Sequence, residues 1–287
     1  MNKQAALTPN QKHIIVDKGT EPSFSGRYIE AVKEGRYLCR QCGNALFSAD
    51  NQFTATCGWP SFDANLSDSV KCCPDTDGRR TEIVCERCDA HLGHVFAGEN
   101  YTEKNTRHCV NSLAIEFVND ETVRDTQEAI IAGGCFWGVE YLLQQLEGVL
   151  LTEVGYIGGE MAAPTYDDIC TKKTGHLEAL RVVFDPSRVS YEQVLQRFFE
   201  THDFSQTDGQ GPDLGPQYLS AVFYYTPDQQ AVAQSVMLDL QARGLEVATQ
   251  LYPMTTFWPA EDYHQNYYLN TGKQPYCHTR RIIFSDC

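Results

Sequence analysis

The sequence predicts two domains of unlike class: a mainly β domain over residues 1–124 and an α+β domain, an α/β sandwich, over residues 125–287. Three observations carry this. At 287 residues the chain exceeds the ordinary size of one domain and suits two. The first part alternates short apolar runs with turn residues, whereas the second alternates strand-like runs with amphipathic helical ones. Between them, the stretch NDETVRDTQE, residues 119–128, loses its apolar signal, which places the boundary near Arg124.

In the first part the runs RYLCRQCGNALFS, TATCGWPSF, TEIVCERCDAHLGHVF and NSLAIEFV read as strands. The one helical periodicity there lies in FSGRYIEAVKEG, residues 24–35. In the second part EAIIAGG reads as a strand, CFWGVEYLLQQLEG as a helix, VLLTEVGYIGG as a strand and PTYDDICTKKTG as a short helix. There follow the strand HLEALRVVFDP, a helix capped by Ser190, the strand QYLSAVFYYT and a helix begun at Pro227. From Leu251 onward the chain is rich in Tyr, Pro and His and has no clear period.

Apolar residues make up 42% and charged residues 21%, the balance of a globular protein. The opening MNKQAALTPNQK has no apolar core of a leader, and no run reaches the length of a membrane span. A soluble, cytoplasmic protein is expected, with no membrane partner. The formal charge is -15, and residues 125–287 carry 9 Lys and Arg against 21 Asp and Glu. That field repels a phosphate backbone, which argues against nucleic acid.

Twelve cysteines without a leader suggest metal binding or thiol chemistry in a reducing compartment. Cys39-x-x-Cys42 and Cys85-x-x-Cys88 form paired knuckles, the usual set for a structural zinc; unligated core cysteines or redox-active pairs are the alternatives. Four thiolates leave zinc no open position, so such a site stabilises and does not react. Cys109 in RHCVNS stands apart, with Arg107 to favour a thiolate and Asn111 to offer amide donors. HLGHVF adds His91 and His94, and CGWPSF adds Cys57 and Trp59. In GGCFWG, Cys135 begins a helix, where backbone N–H groups lower a thiol pKa. Phe136 and Trp137 there would line an apolar pocket, and the flanking glycines suggest close approach of another molecule. Glu178, alternating with apolar residues on a strand, would be partly buried and so able to donate a proton.

Residues from about Phe24 to Phe117, through GRYLCRQCGNALF, TATCGWPSF, CERCDAHLGHVF and RHCVNSLAIEF, resemble the B-type methionine sulfoxide reductases. The resemblance implies Cys109 as nucleophile, Cys57 as resolving thiol, zinc on Cys39, Cys42, Cys85 and Cys88, and Trp59 at the substrate methyl. It also implies that His91, His94, Arg107 and Asn111 organise the sulfoxide oxygen. Cys72 and Cys73 in VKCCPDTDG match nothing in that pattern and read as surface thiols. Residues from about Ala129 to Cys277 resemble the A-type enzymes, whose signature is GCFWG. That likeness implies Cys135 as nucleophile, Cys277 as resolving thiol, Glu178 as acid, and Tyr166, Asp213 and Tyr218 at the substrate. Pro212, Pro216 and Leu219 stand where that family usually has Asn, Thr and Arg. Cys170 reads as a packing residue, and Cys287 as a tail thiol that could relay.

The two types divide the epimers of methionine sulfoxide between them; the resemblance assigns the R epimer to the N-terminal domain and the S epimer to the C-terminal one. It implies protein repair with free or protein-bound methionine sulfoxide as substrate, thioredoxin as reductant, and no organic cofactor. A zinc-containing thiol redox switch or peroxidase is the alternative.

Overall fold

The computed structural model describes residues 7–75 and 78–284. The chain forms two compact units, Met1–Thr126 and Gln127–Cys287.

In the first unit α1 (Pro9–Ile15) precedes β1 (Arg36–Cys39), β2 (Ala45–Ser48), β3 (Gln52–Phe53), β4 (Ser61–Phe62) and β5 (Val70–Pro74). Then come β6 (Thr81–Cys85), β7 (His91–Ala97), β8 (Thr106–Val110) and β9 (Ile115–Val118). Two antiparallel sheets result, ordered β2-β1-β9 and β3-β4-β8-β7-β6-β5. The aromatic core between them stacks Phe47 on Phe62, with ring centroids 4.4 Å apart and Tyr37 edge-on. Thr8 and Gln11 close a capping box around α1, with Pro9 at its first turn, a start signal that the sequence reading passed over.

The helix expected over residues 24–35 does not form. The buried amide of Gln52 takes those backbone groups instead: its Nε2 donates to the Tyr28 and Glu30 carbonyls, and its Oε1 accepts from Val32 N. Tyr37 Oη donates 2.6 Å to the same Oε1. A side chain distant in sequence thus outbids the local helical period.

The second unit contains β10 (Gln127–Gly133), α2 (Phe136–Leu143), β11 (Val149–Ile157), α3 (Tyr166–Cys170), β12 (Leu177–Phe184) and α4 (Tyr191–Phe199). It continues with β13 (Gly209–Gln210), β14 (Asp213–Leu214), β15 (Ser220–Tyr224), α5 (Pro227–Ala242), β16 (Gln250–Pro253), β17 (Trp258–Pro259) and α6 (Tyr267–Thr271). Ser190 caps α4 through its hydroxyl and Pro227 opens α5, as the sequence suggested. One sheet, ordered β16-β15-β10-β12-β11-β17, is antiparallel except where β15 runs parallel to β16. Along β12, Leu180, Val182 and Phe184 enter the core; Glu178 shares their face by the two-residue period. Cys170 is exposed, contrary to the packing role expected; the neighbouring Ile169 fills the core. Cys287 lies outside the described residues. Among the described residues no helix is long and apolar enough to cross a membrane.

Candidate active sites

In the first unit, the registers of neighbouring strands place Ser61, Cys109, His94, Glu82 and Cys73 opposite one another across β4, β8, β7, β6 and β5. Directly opposed residues share a face, so one row crosses the sheet with Cys109 near its middle. His91 should point away, being an odd number of residues from His94. A β-bulge between the Ile83 and Val84 pairings removes one residue from the alternation and turns His91 back to that face. The rings of His91 and His94 consequently stand 5.6 Å apart, and His91 Nδ1 meets Glu82 Oε1 at 2.7 Å. Gly93 makes the bulge feasible: its φ is +151°, and a Cβ would fall 2.0 Å from the Cys109 carbonyl.

Cys57 reaches the row from the connection between β3 and β4, its Sγ 3.7 Å from Ser61 Oγ. Arg107 Nη1 donates to Cys57 Sγ at 3.4 Å, while Nε and Nη2 grip Glu99 at 2.7 and 3.0 Å. The guanidinium also lies over the Phe96 ring, 4.6 Å from its centroid. Arg107 favours the Cys109 thiolate as expected, but it does not prevail: burial, joined by Cys57, pushes the thiol up to about 12. Asn111 does not offer its amide to the site in this arrangement. Its Nδ2 donates to Leu92 O and its Oδ1 accepts from Glu21 N. Glu21 also anchors Trp59, whose Nε1 donates to its carbonyl at 3.1 Å. His94 Nε2 stands 2.8 Å from Asp75, whereas His91 Nε2 is buried with no hydrogen-bond partner among the described residues. Burial lowers the His91 imidazole from its ordinary value, against the pull of Glu82.

At the other end of β6, Cys39, Cys42, Cys85 and Cys88 bring four Sγ atoms within 4.8 Å of one another. The Cys39–Cys88 and Cys42–Cys85 separations are 3.7 and 3.6 Å. A tetrahedral zinc with Zn–S of about 2.3 Å requires S···S edges of about 3.8 Å. Cys72 is exposed on β5 and Cys73 half-buried.

In the second unit Cys135 is the N-cap of α2, where β10 ends. Its Sγ, that of Cys277 and a carboxylate oxygen of Asp213 lie within 4.8 Å of one another. Glu178, 2% exposed, accepts from Phe136 N at 3.2 Å, so a carboxyl group sits at the head of the helix. Burial raises Glu178 to about 8, with Asp213 and Cys277 adding. The two thiols are coupled through a shared hydrogen bond. With Cys135 as partner and His278 beside it, Cys277 is pulled down to about 6. Cys135 is pushed well up by Cys277, by burial and by Glu178, against the helix N-terminal effect the sequence suggested. The backbone N–H of Trp137 does favour its thiolate, but a buried sulfur between a second thiol and a carboxyl holds its proton.

Phe136 is 2% exposed and belongs to the core. Trp137 is half-buried, stacked on Tyr267 with centroids 3.8 Å apart, its Nε1 3.1 Å from His264 Nδ1. Tyr166 leans on the other side of His264 at 4.5 Å. Burial raises the phenols of Tyr166 and Tyr218, with neighbouring Glu178 adding, and Tyr276 Oη donates to both Asp213 oxygens at 3.1 Å. The glycines around Cys135 serve the chain itself and not a visiting molecule. A Cβ at Gly134 would strike Gln210 at 2.3 Å, and one at Gly138 would strike His278 at 2.4 Å. Glu82, Glu99, His264, Tyr267 and His278 escaped the sequence reading; none lies in a motif that announces it.

Two thiol pairs, Cys57 with Cys109 and Cys135 with Cys277, each with acids or imidazoles at hand, mark the two candidate sites. Residues 7–119 match the SelR domain and residues 127–286 match peptide methionine sulfoxide reductase. The chain belongs to the methionine sulfoxide reductase family: it fuses an N-terminal B-type domain to a C-terminal A-type domain, and both reduce methionine sulfoxide. Peptide methionine sulfoxide reductase MsrA of Thermus thermophilus is 47% identical over 150 residues, covering 52% of this chain and 85% of that one. The Deinococcus radiodurans MsrA is 46% identical over 154 residues, covering 53% and 75%. The crystal structure of Mxr1 from Saccharomyces cerevisiae in reduced form superposes with a TM-score of 0.52 at 28% identity, covering 54% of this chain and 92% of that one.

Proposed function

We propose that the C-terminal unit reduces the S epimer with Cys135 as nucleophile, and the N-terminal unit the R epimer with Cys109. The observation that carries this is the meeting of Cys135, Cys277 and Asp213 within 4.8 Å, beside a buried Glu178. When Cys135 yields its proton to its neighbours, its sulfur attacks the sulfoxide sulfur. Protonated Glu178 supplies a proton to the sulfoxide oxygen. Methionine leaves, and the oxygen stays on Cys135 as a sulfenic acid. The Cys277 thiol then displaces that oxygen as water and forms a disulfide. Trp137, backed by Tyr267, offers an apolar wall to the methyl group, with Tyr166 and Tyr218 as phenol donors. The core position of Phe136 favours Trp137 as the contact surface of the two.

In the N-terminal unit Cys109 and Cys57 play the corresponding parts. His94 is the proton donor, His91 organises water through the lone pair of its buried Nε2, and Arg107 holds Cys57. Asn111 positions the end of β8. Trp59 faces the methyl group. Cys39, Cys42, Cys85 and Cys88 would hold a structural zinc, whose bonds would tie the end of β1 to the end of β6. An external dithiol of the thioredoxin kind regenerates both sites by exchange, restoring oxidised protein methionines or the free amino acid. At the A-type site Cys277 also lines a cleft of about 530 Å³, a route for that exchange.

The test is turnover of separated R and S sulfoxides by the intact chain and by its Cys109→Ser and Cys135→Ser variants. Each variant should lose at least ~1000-fold on one epimer only. Loss of both epimers in either variant rejects the division of labour.

A further inference from the structure

The residue after the proposed resolving thiol has no role in the scheme above, yet it is among the most tightly held in the unit. His278 is 3% exposed. Its Nε2 stands 2.7 Å from the carbonyl of Gly133, and its Nδ1 stands 3.1 Å from Cys277 Sγ. A carbonyl oxygen only accepts, so Nε2 carries the proton. In the neutral ring Nδ1 then keeps its lone pair, and that lone pair faces the thiol. The backbone on which the ring rests is cut away for it. A Cβ at Gly138 would come within 2.4 Å of Nδ1. The carbonyl it grips belongs to the same Gly-Gly segment that leads into Cys135. One imidazole therefore links the sulfur that must become a nucleophile to the backbone carrying the sulfur it must attack.

We propose that His278 is a catalytic base for the resolving step, acting on Cys277 as its Nδ1–Sγ contact dictates; this rests on the reading of Cys277 as the resolving thiol. Nδ1 takes the proton of Cys277, and the thiolate sulfur attacks the sulfenic sulfur of Cys135. The S–S bond forms as the S–O bond breaks. Cys277 sulfur is oxidised and Cys135 sulfur reduced, and the departing hydroxide leaves as water with the proton that Nδ1 had taken. During regeneration the same group runs in reverse: when an external thiolate attacks Cys135, the imidazolium returns a proton to the leaving Cys277 sulfur. In the resting site the hydrogen bond from Cys135 is the main cause of the low Cys277 thiol and His278 a lesser one; once Cys135 carries the oxygen that thiol donor is gone, and the imidazole is the base left beside Cys277. The other ionisable groups facing the pair are Asp213, Glu178, Tyr276, Tyr268 and the neutral, buried His202.

The experiment is a single turnover of S-methionine sulfoxide by the full chain without reductant. Methionine release is timed against disulfide formation, the latter read by mass as loss of two hydrogens against gain of one oxygen. In His278→Gln, which can still donate to the Gly133 carbonyl, the second phase should slow about 100-fold relative to the first. The sulfenic acid should accumulate, trappable by a dimedone probe. Raising the pH should restore the second phase in the variant as hydroxide takes over the deprotonation, a recovery that a packing defect would not give. Gly138→Ala, which displaces the ring from the opposite side, should slow the same phase. If both phases slow together, or the ratio is unchanged in both variants, His278 is not the base. If the unaltered chain never joins Cys135 to Cys277, it is instead the resolving role of Cys277 that fails.

Discussion

The two units set up the same thiol chemistry on opposite kinds of scaffold. In the N-terminal unit the proposed nucleophile, Cys109, lies within a strand, and its neighbours come from adjacent strands by register: Ser61 on one side, His94 on the other. In the C-terminal unit the proposed nucleophile, Cys135, caps a helix, and the groups around it arrive from three distant segments: Glu178 on β12, Asp213 on β14 and Cys277 in the tail. The proton donors differ accordingly. A sheet face open to a row of side chains brings two imidazoles to the N-terminal site, burial lowering that of His91, whereas the enclosed helix head lifts a carboxyl to about 8 and keeps it protonated. Tuning by burial serves both, but acts in opposite directions on acids and bases.

The largest expected effect that would break this contrast is at Glu178. Glu178→Gln should lower S-epimer turnover by roughly 100- to 1000-fold and spare the R epimer. A carboxyl raised to about 8 is protonated below that pH and loses its proton above it. S-epimer turnover limited by this acid should fall as pH rises through about 8, and the variant should lack that limb. A pH profile equally steep in the variant would assign the acid elsewhere.

A smaller effect is expected at the cysteine cluster. Cys85→Ser should release zinc, measured by elemental analysis, lower the melting transition of the N-terminal unit, and cut R-epimer turnover by about tenfold or more. S-epimer turnover should remain. A protein that binds no zinc before the change removes the structural-metal reading of the cluster.

The mildest effect sharpens the comparison within the N-terminal site. Arg107→Lys keeps the charge but loses the planar fork that grips Glu99 in two places while reaching Cys57. R-epimer turnover should drop about fivefold to tenfold, with most of the loss in disulfide formation with Cys57, followed by thiol titration in a single turnover. An equal loss in methionine release would move Arg107 from the resolving step to the sulfoxide.

Much of this protein was legible before any coordinates. The two-residue and 3.6-residue periods located the four long strands β10, β11, β12 and β15 and the helices α2 to α5, because those signals are local and recur along a segment; the short β13, β14, β16, β17 and α6 gave no such period. Ser190 and Pro227 marked helix starts for the same reason. The paired knuckles were readable as one cluster because a four-sulfur site imposes its own spacing. The helix expected over residues 24–35 failed because its carbonyls are claimed by Gln52, a competitor invisible to a local window.

The sequence by itself determined which thiols and acids the chain possesses, which segments carry them, and the division into a β-rich and a layered α+β unit. Only the tertiary structure decided how they meet. A single bulge beside Gly93 places His91 and His94 on one face, and the Cys109 carbonyl of the next strand leaves room there for a glycine and not for a Cβ. The glycines about Cys135 make room for Gln210 and His278, residues far along the chain. The ionisation of Cys135 and Cys277 follows from their contact and not from the helix end alone. Periodicity is set by neighbours in sequence; protonation and side-chain direction are set by neighbours in space, which burial selects.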